Sequence, residues 1–191
     1  FKGYIFDCDG TLADSMPLHF KAWRTAFAQF AAPFSFDWQL FMSRAGKTLE
    51  VTVAELNQQF STALDPDRVS AAQRASYAAL LPEVGPIVPV VELLRGVASK
   101  FPVAVASGGD LPTVRTTLDV LGVLDLFPVI VTAADVARGK PAPDMFLLAA
   151  ERIGVEPRDC VVFEDSLLGI QAAEAAGMAA VLVRRLLDDP T

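Results

Sequence analysis

Four short segments of this 191-residue chain hold residue types that do chemistry. They are Asp7-Cys8-Asp9-Gly10-Thr11, Ser107-Gly108-Gly109, Gly139-Lys140-Pro141-Ala142-Pro143-Asp144 and Glu164-Asp165-Ser166. A serine hydroxyl, a lysine and the carboxylates of Asp7, Asp9, Glu164 and Asp165 are the candidates for one common site. Two motifs that bind cations or phosphates lie close to patterns in this chain, and both fail on spacing. A calcium loop opening at Asp7 needs glycine at its sixth position and glutamate at its twelfth, where the chain has Leu12 and Leu18. Gly46-Lys47-Thr48 echoes a P-loop, but Phe41 stands where the first glycine is required, and no strand precedes it. Taken singly, Lys140 reads as a surface lysine, Glu164-Asp165 as an acidic turn and Ser107 as a cap serine. What sets them apart is their common place, each following a short apolar run, with a short loop between in the case of Lys140.

Those runs are Tyr4 to Phe6, Val103 to Ala106, Val129 to Val131, Val161 to Phe163 and Ala180 to Val183. Each is almost continuously hydrophobic, as parallel strands covered on both faces must be. Between the last four, Leu111 to Leu121, Asp144 to Ile153 and Leu167 to Ala176 read as helices. Each stops at a glycine followed by an apolar residue: Gly122-Val123, Gly154-Val155 and Gly177-Met178. Glycine takes the left-handed turn at a helix end cheaply, and the apolar residue after it packs back. This alternation predicts an α/β fold, a doubly wound parallel sheet of Rossmann type. In such open sheets function gathers at the carboxyl ends of the strands, where the four segments fall.

Residues 14–82 break the rhythm. Phe20, Trp23, Phe27 and Phe30 recur at spacings of three and four, the mark of one helix face and of a small apolar core. Thr48 is a candidate cap for a second helix with Leu49, Val53, Leu56 and Phe60 on one stripe. Asp65-Pro66 opens a third, which ends before Pro82. The expected organisation is a core domain of residues 1–13 and 83–191 interrupted by an α-helical insertion, residues 14–82.

Composition narrows the partners. The chain is 52% hydrophobic and 20% charged, enough for a sizeable core and unlike a disordered chain. Lys and Arg total 16 against 23 Asp and Glu, a formal charge of -7, so no basic patch suits a nucleic acid. No run approaches the roughly twenty apolar residues of a membrane span. A net acidic chain can still take a phosphate ester, given a metal or a few placed cations. Cys8 and Cys160 read as buried thiols of a reducing compartment. Without signal-peptide features the expected location is cytoplasmic, and the chain begins at Phe1 rather than Met as though a few residues had been trimmed.

The order Asp-x-Asp-Gly-Thr-Leu-x-Asp-Ser from Asp7 to Ser15, a strand ending in Ser107, Gly-Lys-Pro-x-Pro-Asp from Gly139 and Glu-Asp-Ser from Glu164 resembles the haloacid-dehalogenase superfamily of phosphotransferases. The helical insertion after the first motif is similar to the small cap of its β-phosphoglucomutase-like sugar-phosphatase branch. His19-Phe20-Lys21-Ala22-Trp23 is like that branch in particular, and the resemblance spans nearly the whole chain. It implies hydrolysis of a small phosphate monoester, such as a sugar phosphate, with Mg²⁺ as cofactor. Asp7 would be the nucleophile that forms an aspartyl-phosphate, and Asp9 would protonate the leaving alkoxide and then activate water. Asp7, the backbone carbonyl of Asp9, and Asp165 would hold Mg²⁺, with Glu164 as a further contributor. Lys140 would offset charge on nucleophile and phosphate, while Ser107 and the Gly108 amide would hydrogen-bond the phosphoryl oxygens. Gly10 would let the chain turn sharply out of the first strand. Asp9 also argues for phosphate over halide, because the dehalogenases need no acid-base Asp at that place.

Within the cap, the resemblance points to His19 as a substrate contact, and Lys47, Arg44 and Arg74 are the cations that could meet a sugar phosphate. One feature departs from the mutase pattern. Relatives of that kind hold a second phosphate with an Arg three positions beyond the loop glycine, and here that position is Leu49. Hydrolysis is therefore expected over the mutase alternative. A non-enzymatic phospho-acceptor domain is the remaining alternative, disfavoured by the inserted cap and by Asp9. A monomer or weak dimer is expected.

Overall fold

The computed structural model describes residues 1–44 and 47–184; Gly46 and residues 185–191 of the expected core domain lie outside the described residues. Five strands form one parallel sheet: β1 (Gly3–Phe6), β2 (Val103–Ser107), β3 (Val129–Thr132), β4 (Cys160–Glu164) and β5 (Ala179–Leu182). Their order is β3-β2-β1-β4-β5. Between β1 and β2 come α1 (Met16–Gln29), α2 (Trp38–Met42), α3 (Leu49–Phe60), α4 (Pro66–Leu80) and α5 (Val88–Ala98). Then α6 (Leu111–Val120), α7 (Asp144–Arg152) and α8 (Leu167–Ala175) alternate with the remaining strands. The described residues divide into two compact units, one of Phe1–Ser15 with residues 84–184, the other of Met16–Glu83.

In the α/β unit, β2 and β4 are buried along their whole length, which explains their unbroken hydrophobicity. Ile5, Ala104, Ala106, Val131 and Val162 of the sheet pack with Met145, Phe146, Ala149 and Ala150 of α7 and Ala172 and Ala173 of α8. The alanines let these helices lie close against the strands. The helix stops fall where the glycines stand: Val123, Val155 and Met178 each donate a backbone hydrogen bond back across the turn, at 3.0 Å. Strand β5 begins one residue earlier than its apolar run suggests, although Val183 N–H still donates to the Glu164 carbonyl at 2.8 Å.

Helix α5 has no counterpart in the sequence reading, and the reason is physical. It is preceded by Ile87, which makes no side-chain cap, and Ile87-Val88-Pro89-Val90-Val91 has the β-branched composition of a strand. The helix forms because its spacing buries Val90, Val91 and Leu94 together.

In the helical unit, Asp37, Thr48 and Asp65 cap α2, α3 and α4 through their side chains, and Pro66 occupies the first turn of α4. Phe20, Trp23 and Phe27 of α1 join Phe36, Trp38, Phe41, Val53, Leu56 and Val69 in one apolar cluster, so the aromatic stripe is this unit's core. Phe60 departs from its expected stripe: it is 37% exposed and stacks on Phe34 instead. No helix among the described residues is long and apolar enough to cross a membrane.

Candidate active site

Strand register brings the reactive residues together. Phe6 pairs with Val105 on one side and Phe163 on the other, so Asp7 and Glu164 leave adjacent strands side by side. From β1 the chain goes on to β2 and β3 on one flank, whereas from β4 it goes to β5 on the other. The gap between β1 and β4 is thus the switch point of the sheet, where a crevice opens at the carboxyl ends. Asp7 is anchored there by its own N–H, which donates to the Phe163 carbonyl at 2.9 Å.

Lys140 reaches this edge from the loop before α7, and its peptide bond to Pro141 is cis. Its Nζ donates to Asp7 Oδ1 at 2.7 Å and to Glu164 Oε2 at 2.6 Å, and it lies 5.1 Å from the centroid of the Phe146 ring. Burial works against the lysine's charge, but the carboxylates of Asp7 and Glu164 outweigh it, and its pKa stands above the ordinary value. Burial, and then the charge of Glu164, push Asp7 up to about 7 despite the lysine. Burial, followed by the charges of Asp7 and Glu164, pushes Asp165 up to about 9. More negative charge is gathered here than one ammonium offsets.

Asp7, Glu164 and Asp165 offer oxygens that all lie within 4.8 Å of one another, a set that could hold a metal ion. All three are hard oxygen donors, which suits Mg²⁺ better than a softer metal. Gly10 leaves room for the set. Its φ is +84°, and a Cβ at that position would overlap the Asp165 carboxylate. Glu164 is walled in the same way by Gly169 on α8.

Asp9 and Ser107 flank a third glycine, Gly109. A Cβ on Gly109 would come 3.4 Å from Ser107 Oγ and 3.8 Å from Asp9 Oδ2. The Ser107 hydroxyl is buried and accepts from the Gly109 N–H at 3.1 Å, so its backbone partner is Gly109, whereas Gly108 is exposed with open space about it. Asp9 Oδ1 accepts from the buried Ser15 hydroxyl at 2.7 Å. Both cysteines are buried thiols. Burial and then Asp9 and Asp7 raise the pKa of Cys8 well above the usual thiol range, and burial followed by Asp159 raises Cys160 to about 11.

The candidates of the helical unit are engaged within it. His19 stacks on Tyr77, with ring centroids 3.7 Å apart, and its Nδ1 lies 3.3 Å from the Gln73 amide nitrogen. Lys47 and Arg44 both meet Glu55, Lys47 at 2.6 Å, and Arg44 also donates to Gln59. Arg74 pairs with Glu50 at 2.9 Å. Four further residues that shape these groups, Ser15, Glu55, Ser166 and Gly169, carried no role in the sequence reading. Only Ser15 and Ser166 were within its motifs, and the partners of Glu55 and Gly169 follow from packing.

The hydrolase family described as haloacid dehalogenase-like hydrolase matches residues 1–177. The chain belongs to the haloacid dehalogenase-like hydrolases. It is 40% identical over 190 residues to the fructose-1-phosphate phosphatase YqaB of Escherichia coli (strain K12), covering 97% of this chain and 98% of that one. The β-phosphoglucomutase of Bacillus subtilis (strain 168) is 29% identical over 185 residues, covering 94% and 82%. Among solved structures, CbbY from Rhodobacter sphaeroides in complex with phosphate superposes with a TM-score of 0.84 at 27% identity, covering 95% of this chain and 85% of that one. The parallel sheet and its flanking helices are therefore those of the haloacid dehalogenase-like fold.

Proposed function

We propose that this haloacid dehalogenase-type phosphatase hydrolyses a small sugar phosphate through an aspartyl-phosphate intermediate, with Mg²⁺ as its cofactor. The observation that carries the reading is the Asp7–Lys140–Glu164 cluster at the switch point. The buried carboxylate of Asp7 attacks phosphorus while the ester oxygen departs, so one P–O bond forms as another breaks. Asp9 protonates the leaving alkoxide, and its conjugate base then takes a proton from the water that attacks the phosphoryl-aspartate, releasing inorganic phosphate and restoring Asp7. Ser15 orients Asp9 for both transfers. Lys140 offsets charge on Asp7 and on the phosphoryl oxygens, and Ser107, with the loop amides beside it, hydrogen-bonds those oxygens as charge moves onto them. Asp7, Asp165 and the Asp9 carbonyl would hold Mg²⁺, which when bound neutralises the charge of the carboxylates and of the incoming phosphate.

Specificity for a sugar phosphate is supported by the relative named a fructose-1-phosphate phosphatase, which covers almost the whole chain. In this reading residues 14–82 serve as the cap domain and the rest as the core domain, and His19 contacts the substrate, with Arg44 and Lys47 as further candidate contacts. The relative named a β-phosphoglucomutase keeps the mutase as a second reading. A mutase must hold a second phosphate. In the helical unit, Arg44, Lys47 and Arg74 already share carboxylates, and Leu49 supplies no charge, which favours hydrolysis. The test is a screen of phosphate esters with Mg²⁺ that scores inorganic phosphate. Release of phosphate from a hexose or hexitol phosphate supports the proposal; isomerisation of a sugar phosphate without release supports the mutase.

A further inference from the structure

The hydrogen bonds about Glu164 leave little of its carboxylate for a cation. Oε1 accepts from the Ser166 N–H at 3.0 Å and from the Ser166 hydroxyl at 2.7 Å. Oε2 accepts from the Lys140 ammonium at 2.6 Å. A carboxylate has about two lone-pair sites on each oxygen, so Ser166 fills Oε1 and the ammonium takes a share of Oε2. Gly169 closes that side: a Cβ there would overlap Cγ, Cδ and Oε2 of Glu164. The side chain is 2% exposed, so it cannot swing out without unpacking α8.

The same serine is tied to the helix. Its hydroxyl accepts from the Gly169 N–H at 3.0 Å, capping α8, while donating its own proton to Glu164. One continuous chain of hydrogen bonds therefore runs from the first turn of α8 through Ser166 and Glu164 to Lys140, and from Lys140 to Asp7. A lysine needs such an anchor, because its ammonium sits on a flexible four-carbon stem.

We infer that Ser166 is a positioning residue for Lys140, acting through Glu164: it turns the carboxylate so that Oε2 holds the ammonium beside Asp7, and Glu164 serves the lysine rather than the metal. The kinetic arm of this inference rests on the phosphatase reading; the metal-binding arm does not. It departs from the expectation that Glu164 contributes to the Mg²⁺ site.

The experiment uses the full chain and two readouts, Mg²⁺ affinity by calorimetry (with Mn²⁺ by electron paramagnetic resonance as a check) and steady-state hydrolysis of a phosphate ester. Glu164→Gln keeps the shape and loses the charge, and Asp165→Asn serves as the metal-ligand control. Ser166→Gly removes the hydroxyl but still caps the helix, since glycine loses little there relative to serine; Ser166→Thr keeps the hydroxyl. The expected result is a Mg²⁺ affinity within about threefold of wild type for Glu164→Gln and Ser166→Gly, beside a collapse for Asp165→Asn. In Ser166→Gly, kcat falls about 10- to 100-fold with KM unchanged, the usual size of an outer-shell loss, and Ser166→Thr restores it. A Mg²⁺ affinity that collapses in Glu164→Gln as in Asp165→Asn overturns the assignment of Glu164. A Ser166→Gly enzyme within twofold of wild-type kcat, or a loss that Ser166→Thr fails to repair, overturns the role of Ser166. If Ser166→Gly does not fold, the Mg²⁺ affinity of Glu164→Gln still decides the assignment of Glu164, and the kcat of Ser166→Ala takes the place of Ser166→Gly in deciding the role of Ser166. A wild-type chain that hydrolyses no ester sinks the phosphatase reading alone, since the affinities still report on Glu164.

Discussion

The Ser15 hydroxyl donates to Oδ1 of Asp9 at 2.7 Å from a fully buried position, at the end of the core segment that leaves β1. One oxygen of the proposed acid-base carboxylate is therefore held by a residue six positions along the chain. Ser15→Ala is expected to lower kcat about 10-fold or more, as loss of a supporting hydrogen bond does, with Mg²⁺ affinity unchanged. Steady-state kinetics with a metal titration check this; an unchanged kcat would remove Ser15 from the mechanism.

Asp9→Asn separates proton transfer from metal binding. Only the Asp9 carbonyl is proposed to reach the metal, and the substitution keeps that carbonyl. Turnover should fall by roughly 10² to 10⁴, the usual scale of general acid-base catalysis, while Mg²⁺ affinity stays near wild type. Affinity that collapses instead would place the Asp9 side chain on the metal.

The pH dependence of stability follows from Asp165. Its folded pKa, about 9, lies above its ordinary value of 3.8, chiefly through burial. A raised carboxylate pKa means that its contribution is fully present below pH 3.8 and is lost as pH rises through 9. Asp7, raised to about 7, acts in the same direction. Melting curves of the chelated protein should therefore fall in Tm from mildly acid to alkaline pH. Asp165→Asn should raise Tm at pH near 8 and change it little near pH 4. A Tm that is lower in Asp165→Asn at alkaline pH would contradict the electrostatics described.

Much of this site is legible in the residues themselves. Asp7, Ser107 and Glu164 stand at the ends of apolar runs, and parallel strands of similar length bring such ends to one edge; Lys140 joins them from the loop between β3 and α7. What cannot be read is how the partners share atoms. The Ser166 hydroxyl caps α8 and orients Glu164 at once, and the collision that makes Gly169 necessary arises only when α8 packs down on β4. Glu55 is equally silent in the sequence, although it gathers both Arg44 and Lys47 in the fold. Helix α5 escapes because its first turn is β-branched and uncapped, so its burial pattern rather than its propensity decides its structure.

Substrate choice should lie in the helical unit and chemistry in the α/β unit. His19→Ala is expected to reduce kcat/KM on the preferred sugar phosphate about tenfold, the equivalent of one hydrogen bond to a charged group, with far less effect on p-nitrophenyl phosphate. Glu55→Gln should act in the same selective way, by loosening Arg44 and Lys47. Equal losses on both esters would show that these residues support the fold rather than recognise the substrate.

The central claim is that Asp7 carries the phosphoryl group. Rapid acid quench of a single turnover, followed by mass analysis of the peptide containing Asp7, tests it most directly. The prediction is a phosphoryl group on that residue that forms and decays no more slowly than turnover, and that is absent, together with hydrolysis, in Asp7→Asn. Sustained hydrolysis by Asp7→Asn, with no phosphoryl group on the wild-type peptide at any time, would contradict it.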